Sequence, residues 1–551
     1  MRQLSWNNLG PTGILCGFVL VYALCDGALS SAQDAPPPTT LDANSDVDSD
    51  AAVTGAETDD TRIEIRLAMD EAIAIAIERN LDLRVEHIRR ENSARDVVIA
   101  RASFDPLFTT QYTVAKFRQP TISFLSGVGS LSSVRVNPFE SQTASLGISG
   151  LLPTGLTYNL TATDERNDSP DSSFVAFNPS HTATLEARLT QPLLKGSGFA
   201  SNLADLRVAH NNYSISHLQL ERMLETTVAS VRNAYWDLVF ADEDLRVKRE
   251  ALREAEQLLE INRQRVRVGT ATEIDVFDAE ANIETQRGGI IDAENLQRRT
   301  QDSLLDLLNY SELLVERGLA EAGELAPYER VRVVAVTPLA FHPYDVDVND
   351  AVGLALANRQ DLRESELAID NAELELLRRR NQALPGLNLS GSWRQQGLDG
   401  NLGAATDSVG RGRFYDWDIG ITFEYPIGNR QERYRFAKAK DDVATSRLNL
   451  LKLTNTITLE VTQAARDIRS SVQKLQSTRA AVRLRREQLE GEKERLRVGS
   501  STSYQVLQIQ NDLLEAQSLE LQSLVDYERA ITAFETAVGV ILGSVGVTIQ
   551  D

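Results

Sequence analysis

The chain has 551 residues, of which 57 are basic and 79 acidic, so its formal charge is −22. Hydrophobic residues make up 42% of the sequence, enough for a sizeable core, which excludes general disorder. Nucleic-acid binding is excluded as well, because an acidic protein does not neutralise a phosphate backbone.

The first 32 residues have the pattern of a secretory signal. An apolar run over 13–25 follows Arg2, and small residues suited to signal-peptidase cleavage come after it. This run is too short to cross roughly 30 Å of hydrocarbon as a helix, so an N-terminal anchor helix is the weaker alternative. Neither Cys16 nor Cys25 is preceded by the small residues of a lipoprotein signal. We therefore predict that residues 1–32 are a signal peptide that is removed.

The rest of the chain contains no cysteine. Exported proteins commonly use disulfides, because the compartments that receive them are oxidising. Without disulfides, this chain must be stabilised by a large core or by oligomerisation.

Residues 33–63 are predicted to be an unfolded leader. The stretch 33–60 contains Pro36-Pro37-Pro38 and eight acidic residues but no basic residue. Such a composition buries too little apolar surface to fold. A solvated spacer is the simplest interpretation, and an acidic binding tail is the alternative.

The remainder contains an internal duplication. AIAIAIERNLDLR at 72–84 aligns without gaps to AVGLALANRQDLR at 351–363. RVRVGTATEID at 265–275 aligns to RLRVGSSTSYQ at 495–505. The two repeats therefore share one plan. Their predicted boundaries are 64–310 for repeat one, 311–348 for a linking side domain, 349–543 for repeat two and 544–551 for a tail.

Each repeat is predicted to begin with a helix. Apolar residues recur at three- and four-residue spacing over 69–103 and again over 349–383. Each stretch stops before a proline, Pro106 or Pro385, as helices commonly do.

Period-two sequence follows each proline and predicts β-strands. Apolar and polar residues alternate over 108–114, 182–190, 387–393 and 416–425, and over an extra pair in repeat one, 144–151 and 156–162. Strands of about ten residues with one apolar face match a membrane β-barrel that has a wet lumen. An antiparallel sheet of a soluble sandwich shows the same alternation.

Two tryptophans, Trp393 and Trp417, fall in these strands. A barrel would place them in the aromatic girdle at the membrane interface. A sandwich would place them in its core.

Two very long helical hairpins follow the strands. Residues 202–268 and 431–498 contain no proline, and about 65 helical residues make a rod of about 100 Å. A short turn with a glycine, Gly269 or Gly499, then reverses the chain, and a second helix follows. Glycine suits the left-handed position that ends a helix, and a threonine can cap the next one.

These elements together resemble the TolC-like outer-membrane efflux factors. The likeness covers about residues 64–545. It rests on the RNLDLR and RQDLR segments, the Asp105-Pro106 and Leu384-Pro385 entries into strands, TQPLLKG at 190–196, EYPIGN at 424–429, AYWDLVFA at 234–241 and the two RVG turns.

The resemblance implies a homotrimer in the outer membrane that extends into the periplasm. The implied fold is mixed and mainly α: duplicated long helical hairpins form an α-barrel tunnel, and about four strands per protomer join one transmembrane β-barrel in outer-membrane lipid. Four strands cannot close a barrel alone, and open edges are not tolerated in lipid.

The family's helical turns dock onto a periplasmic adaptor of a pump whose transporter lies in the inner membrane. Ordinary helix caps are the alternative interpretation of these turns. By position, the resemblance implies adaptor contacts at Val268, Gly269, Thr270, Thr272, Val498, Gly499, Ser500 and Thr502.

The resemblance also implies a tunnel constriction near the turns. Where TolC has its ring carboxylates, this chain has Gln505 and Gln508, and the matching positions of repeat one carry Asp275 and Asp278. The arginine of the family's closing link corresponds to Ser501. A glutamine ring attracts cations far less than a charged ring.

Arg267 and Arg497 lie close enough in sequence to serve as partners for Asp275. They are candidates for the closing link that Ser501 leaves without an arginine.

No catalytic, cofactor or metal site is predicted. The five histidines lack metal-binding spacing, and Gly196-Ser197-Gly198 lacks the acidic residue and context of a dinucleotide site. We expect a passive exit duct for efflux or type I secretion. The alternatives are a structural coiled-coil protein of the envelope with a soluble β domain, and an adhesin or receptor with large surface loops.

Overall fold

The computed structural model describes residues 63–121, 135–169, 176–316 and 331–546. The expected signal peptide, and all of the expected leader except Ile63, lie outside the described residues. The described chain forms two compact units. One comprises Ser93–Asn212 and Ala368–Ser446, and the other comprises residues 63–92, Tyr213–Leu367 and 447–546.

The described residues form eight strands and twelve helices. The strands are β1 (Ile63–Leu67), β2 (Leu107–Thr121), β3 (Arg135–Leu151), β4 (Thr157–Asp168), β5 (Ser180–Pro192), β6 (Val331–Ala335), β7 (Gly386–Asp399) and β8 (Phe414–Glu424). The helices are α1 (Met69–Arg79), α2 (Leu81–Ala102), α3 (Phe199–Asn202), α4 (Ala204–Arg267), α5 (Glu273–Leu307), α6 (Tyr310–Glu316), α7 (Val348–Asn358), α8 (Gln360–Gln382), α9 (Leu402–Gly410), α10 (Arg430–Arg497), α11 (Ser503–Val538) and α12 (Ile541–Ser544).

The first unit is built on an antiparallel sheet with the strand order β2-β3-β4-β5-β7-β8. The expectation of about four strands per protomer is wrong, because the described sheet contains six. The extra pair β3 and β4 lies inside the sheet, between β2 and β5. A tight turn joins the two strands, and Gly155 takes its positive φ of 92°.

The pairing register gives the sheet one apolar and one polar face, because directly opposite residues of an antiparallel pair share a face. One row across all six strands is Trp417, Trp393, Ala187, Leu160, Ile148 and Phe108. A row on the other face is Asp416, Arg394, Glu186, Thr161, Gly147 and Thr109.

The apolar face is open rather than packed against a second sheet. Trp417 is 66% exposed and Ile419 71% exposed. In a soluble sandwich these side chains would be buried in the core. The sandwich interpretation of the two tryptophans is therefore wrong.

The second unit holds most of each helical hairpin and has three hydrophobic cores, two of which contain a buried tyrosine. In one core, the Tyr235 hydroxyl donates to Leu67 O at 3.0 Å and accepts from Thr337 N at 2.9 Å. In the other, the Tyr527 hydroxyl donates to His342 O and accepts from Tyr344 N at 3.0 Å. Each buried tyrosine thus attaches a long helix to the irregular segment between β6 and α7.

The duplication extends into these cores. Four positions of α4 and their counterparts 230 residues later in α10 are all buried. They are Val231 and Val461, Ala234 and Ala464, Leu238 and Ile468, and Leu245 and Leu475.

The predicted linking segment contributes to the second unit. Within it, β6 pairs in parallel with β1 of repeat one, in a register that joins Ile65 to Val333. None of the helices in the described ranges is both long and apolar enough to cross a membrane.

The first helix of each repeat is broken at the same place. Asn80 separates α1 from α2, and Arg359, 279 residues later, separates α7 from α8. The Asn80 amide donates to Leu307 O at 3.0 Å, and its Oδ1 accepts from the backbone N–H groups of Asp82 and Leu83. Asn80 therefore caps α2 and fixes it to the end of α5.

Replacement of Asn80 by alanine should lower the free energy of unfolding by about 2 kcal/mol, because a helix cap and a bond to a buried carbonyl are lost. Asn80→Ser keeps a capping oxygen but is too short to reach Leu307, so it should lose about half as much. Thermal unfolding followed by circular dichroism measures both values. Equal losses in the two variants would contradict the capping role.

Candidate functional site

The turn of repeat one is a glycine-ended helix followed by a capped one. At the end of α4, Gly269 has a φ of +76°, and Thr270 N donates to Arg265 O at 2.8 Å. The Asp275 carboxylate accepts from the Thr272 N–H at 2.9 Å and from the Thr272 hydroxyl at 2.8 Å. These bonds reverse the chain into α5.

The turn of repeat two has the same geometry. Gly499 has a φ of +78°, and Ser500 N donates to Arg495 O at 2.9 Å. The Thr502 hydroxyl accepts from Gln505 N at 3.4 Å, which caps α11. A side chain other than glycine would be strained at either turn, because its Cβ disfavours positive φ.

Both turns expose apolar side chains. Val268 is 73% exposed and Val498 is 61% exposed. Three further apolar residues near the turns are exposed and were not predicted from the sequence: Ile274, Phe277 and Tyr504. Ile274 and Tyr504 had a signal in the sequence, since each comes two residues after a capping threonine, in the first turn of a helix. Each turn therefore carries more than one exposed apolar side chain, and exposed apolar surface commonly marks contact sites.

The candidate constriction residues differ in what they contact. Asp275 is engaged by the Thr272 cap, and Gln505 accepts from the Ser501 hydroxyl at 2.8 Å. Asp278 and Gln508 are exposed. Of the four, Asp278 and Gln508 are the side chains most available to a tunnel.

The two arginines near the turns pair with glutamates of their own helices. Arg267 lies 3.3 Å from Glu260, and Arg497 forms an ion pair with Glu494. The hydrogen bond from Arg497 lowers the pKa of the Glu494 carboxyl. Within one chain, both arginines therefore pair with glutamates of their own helices rather than with Asp275.

A buried polar link joins the two repeats beside the turns, and sequence analysis missed it. Asn262 is fully buried in α4. Its amide donates to Asp275 O at 3.0 Å, and its Oδ1 accepts from the Ser503 hydroxyl at 2.7 Å. The link connects residues 241 positions apart, so no local pattern could reveal it.

A second polar feature of this unit is a cavity of about 550 Å³ between helices. Its lining includes Arg222, Glu225 and the segment Arg359–Asp361. Arg359 forms ion pairs with Asp361 and Glu460. Burial, helped by the nearby Glu221, raises the pKa of Glu225 to about 7. The cavity is therefore lined by the ion pairs of Arg359 together with a carboxyl, Glu225, whose pKa is raised.

Among the described residues, no cluster of three or more His, Cys, Asp or Glu side chains is arranged to hold a metal ion.

The link at Asn262 generates a prediction about the turns. Asn262→Ala should lower the free energy of unfolding by about 2 kcal/mol, because it leaves the buried Ser503 hydroxyl without its acceptor. Amide hydrogen exchange across 262–275 should accelerate about tenfold. Gln508→Ala, at an exposed position of α11, serves as the control and should change neither quantity. Unchanged exchange in Asn262→Ala would show that the link does not stabilise the turns.

Comparison with known proteins is consistent with this architecture. A sequence model of the family described as outer membrane efflux protein matches residues 151–310 and 351–540. No curated protein matches the chain significantly.

Several solved structures have a similar fold. The CmeC outer membrane channel of Campylobacter jejuni has 17% identity over 86% of this chain and 85% of that chain, with a TM-score of 0.61. The MtrE outer membrane channel of Neisseria gonorrhoeae in its open state has 17% identity over 86% and 88%, with a TM-score of 0.59. The outer membrane protein VceC of Vibrio cholerae has 14% identity over 86% and 96%, with a TM-score of 0.60.

Proposed function

The chain belongs to the outer membrane efflux protein family, and from this premise we propose that three copies form one exit duct, which receives its cargo from partners in the periplasm and inner membrane. The protein is an efflux channel of the outer membrane. Its family consists of channels rather than enzymes.

The observation that carries the trimer proposal is the six-stranded sheet with two open edges. Within the described residues, β2 and β8 each pair on one side only. Unpaired backbone groups cost several kcal/mol each in hydrocarbon, so a membrane sheet must close. Three copies would supply eighteen strands, three times the six of one chain. Such a barrel would be wider than one built from four strands per copy, because diameter grows with strand number.

The two faces of the sheet also support a barrel, because one face is apolar and the other is polar. The row of Trp417 and Trp393 would face lipid, where tryptophans suit the interface. The row of Asp416, Arg394 and Glu186 would face the lumen. In that row Arg394 lies 3.3 Å from Glu186 and 3.8 Å from Asp416. The lumen would therefore be wet and charged.

Ile419→Arg, on the apolar face of β8, should reduce the yield of threefold particles extracted in detergent several-fold. An arginine facing the bilayer centre costs about 2–4 kcal/mol. Thr422→Arg is the matched control, because Thr422 lies in the same strand on the polar face, so its yield should be close to that of the wild type. The measurement is single-particle imaging with native mass spectrometry.

A water-soluble wild-type monomer without a barrel would overturn the duct and favour a structural coiled-coil protein of the envelope. Equal loss in both arginine variants would overturn the assignment of the two faces.

The helical turns are the proposed docking site for a periplasmic adaptor. The exposed Val268 and Val498, the repeated glycine geometry and the neighbouring Phe277 support this role. Exposed apolar side chains on each turn fit an adaptor whose own tip is apolar at its centre. The adaptor would in turn connect to an inner-membrane transporter that supplies the energy.

The double variant Val268→Asp/Val498→Asp should reduce adaptor binding at least tenfold, because two charges would be buried in the contact. Efflux, measured as the sensitivity of cells to exported compounds, should fall in parallel. Val268→Ala/Val498→Ala, which keeps the surface neutral, is the control and should bind within a few-fold of the wild type. Full efflux by the aspartate variant would contradict docking at the turns, provided that its trimer yield is normal.

The proposed tunnel constriction lies in α5 and α11, in the helical turns that follow the proposed docking site. Asp278 and Gln508 are exposed at equivalent positions of the two repeats. In a trimer they would give a mixed ring of three carboxylates and three amides. Such a ring would attract cations less than a ring of carboxylates alone.

A further inference from the structure

We propose that neighbouring copies of the chain are joined by two exposed apolar faces, one on α2 and one on α10. The α2 face consists of Leu81, Val85 and Ile88, and the α10 face of Leu448, Leu451 and Leu459; each side chain is about half exposed or more. The inference rests on the proposed trimer and identifies the surfaces that assemble it.

The proposed contact between copies has an observed equivalent within one chain. There, the first helix of repeat two packs on the long helix of repeat one. Glu364 of α8 lies 3.6 Å from Arg222 of α4. Further along, the Asn371 amide accepts from Asn211 at 2.9 Å and donates to Asn212 at 3.0 Å. Within the chain, α8 of repeat two therefore contacts α4 of repeat one.

The duplication predicts an equivalent contact between the first helix of repeat one and the long helix of repeat two. The first helices are related by 279 positions, as the breaks at Asn80 and Arg359 show, and the long helices by 230, as the buried pairs of α4 and α10 show. The same shifts carry Glu364 to Val85 and Arg222 to Lys452. Val85 of one copy would thus face Lys452 of another.

The shift of 230 also relates two cavities. The lining of the polar cavity includes Arg222, Glu225, Thr226 and Ala229 of α4. An open groove of about 360 Å³ on α10 is lined at the four matching positions, Lys452, Asn455, Thr456 and Leu459. The polar cavity is closed on one side by Arg359–Asp361, whereas the lining of the groove comes from α10 alone.

Residues 80–82 correspond to Arg359–Asp361, so residues 80–82 of another copy would close the groove on α10. In each chain the helix break is attached to its own repeat. Asn80 donates to Leu307 O, and Arg359 donates to Ala537 O, which lies 230 positions after Leu307. With its break fixed in this way, α8 contacts α4 of the other repeat in the same chain. The equivalent partner of α2 is α10 of the next chain.

Three polar side chains of the in-chain contact correspond to apolar ones at the joint, whereas Arg222 corresponds to Lys452, which is also charged. On the first helix, Gln360 and Glu364 of the in-chain contact correspond to Leu81 and Val85. On the long helix, Glu221 corresponds to Leu451. Both apolar faces would be exposed to water in a lone chain, and association buries them. A head-to-tail contact closes a ring when the rotation between copies completes a full turn, and the proposed trimer is such a ring.

A thiol cross-linking experiment tests the joint, because the native cysteines, Cys16 and Cys25, both lie in the predicted signal peptide. The full chain with Val85→Cys and Lys452→Cys, treated with a short bismaleimide, should give covalent dimers and trimers on a denaturing gel. Glu364→Cys with Arg222→Cys should cross-link within one chain and keep the monomer mass. Val85→Cys with Leu484→Cys is the negative control, since residue 484 lies about 48 Å further along α10.

Each outcome decides a different question. Dimers and trimers from the first pair alone support the joint. Absence of cross-links between copies in a protein that is trimeric by native mass spectrometry overturns the joint and leaves the proposed duct intact. Cross-links from Val85→Cys to a different protein would assign the α2 face to another partner and also overturn the joint. A monomeric wild-type protein overturns both proposals.

A charge-reversal series tests the pairing without cross-linking. Val85→Lys faces Lys452 and should lower the trimer fraction at least fivefold at micromolar protein. Val85→Glu recreates the Glu364–Arg222 pairing and should keep the trimer within twofold of the wild type. Val85→Lys/Lys452→Glu should restore the trimer. Equal effects of Val85→Lys and Val85→Glu would overturn the facing of Val85 and Lys452.

Discussion

The unpaired edges of β2 and β8 are the constraint on which the rest of the molecule depends. Each edge strand carries a row of backbone donors and acceptors, and hydrocarbon offers no water to satisfy them. The sheet of one chain has a lipid-compatible face but no closed perimeter. Closure therefore requires other copies, and the pairing register already alternates the faces in the way that a closed barrel needs. In the proposed trimer, the duplicated helices would make that closure regular, because they would repeat one packing arrangement around the ring.

The two joints of such a ring face different physical demands, which explains why the repeats have diverged. The in-chain joint brings together parts that the covalent chain already holds close, so ion pairs such as Glu364–Arg222 are sufficient to fix its register. The joint between copies must overcome the entropy lost on association. Burial of apolar surface is the main source of that free energy. Val85 and Leu451 at the second joint follow from this difference.

The features that were predictable from sequence are the periodic ones. The helical hairpins and the turns at Gly269 and Gly499 follow from long proline-free stretches and from glycine's access to positive φ. The break at Asn80 had a signal, since asparagine is a common cap, but its counterpart Arg359 had none. The period-two pattern had already identified β3 and β4 as an extra pair of strands. The count of about four strands came from the family resemblance, and repeat two has no equivalent pair to show that the extra strands join the main sheet. The Asn262–Ser503 bond was beyond prediction because it depends on how two distant helices meet.

The turns combine conserved backbone geometry with divergent surroundings, and this combination bears on how the duct could open. Both turns use glycine and a capping threonine, yet the position that holds the buried Asn262 in repeat one holds Glu492 in repeat two. Glu492 bonds to Ser501 of its own turn, whereas Asn262 bonds to Ser503 of the other repeat. Each turn therefore has local contacts, and the Asn262–Ser503 bond joins α4 of repeat one to the first residue of α11 in repeat two. Movement of α11 must break or carry the Asn262 bond, so the two hairpins are coupled at this end of the chain.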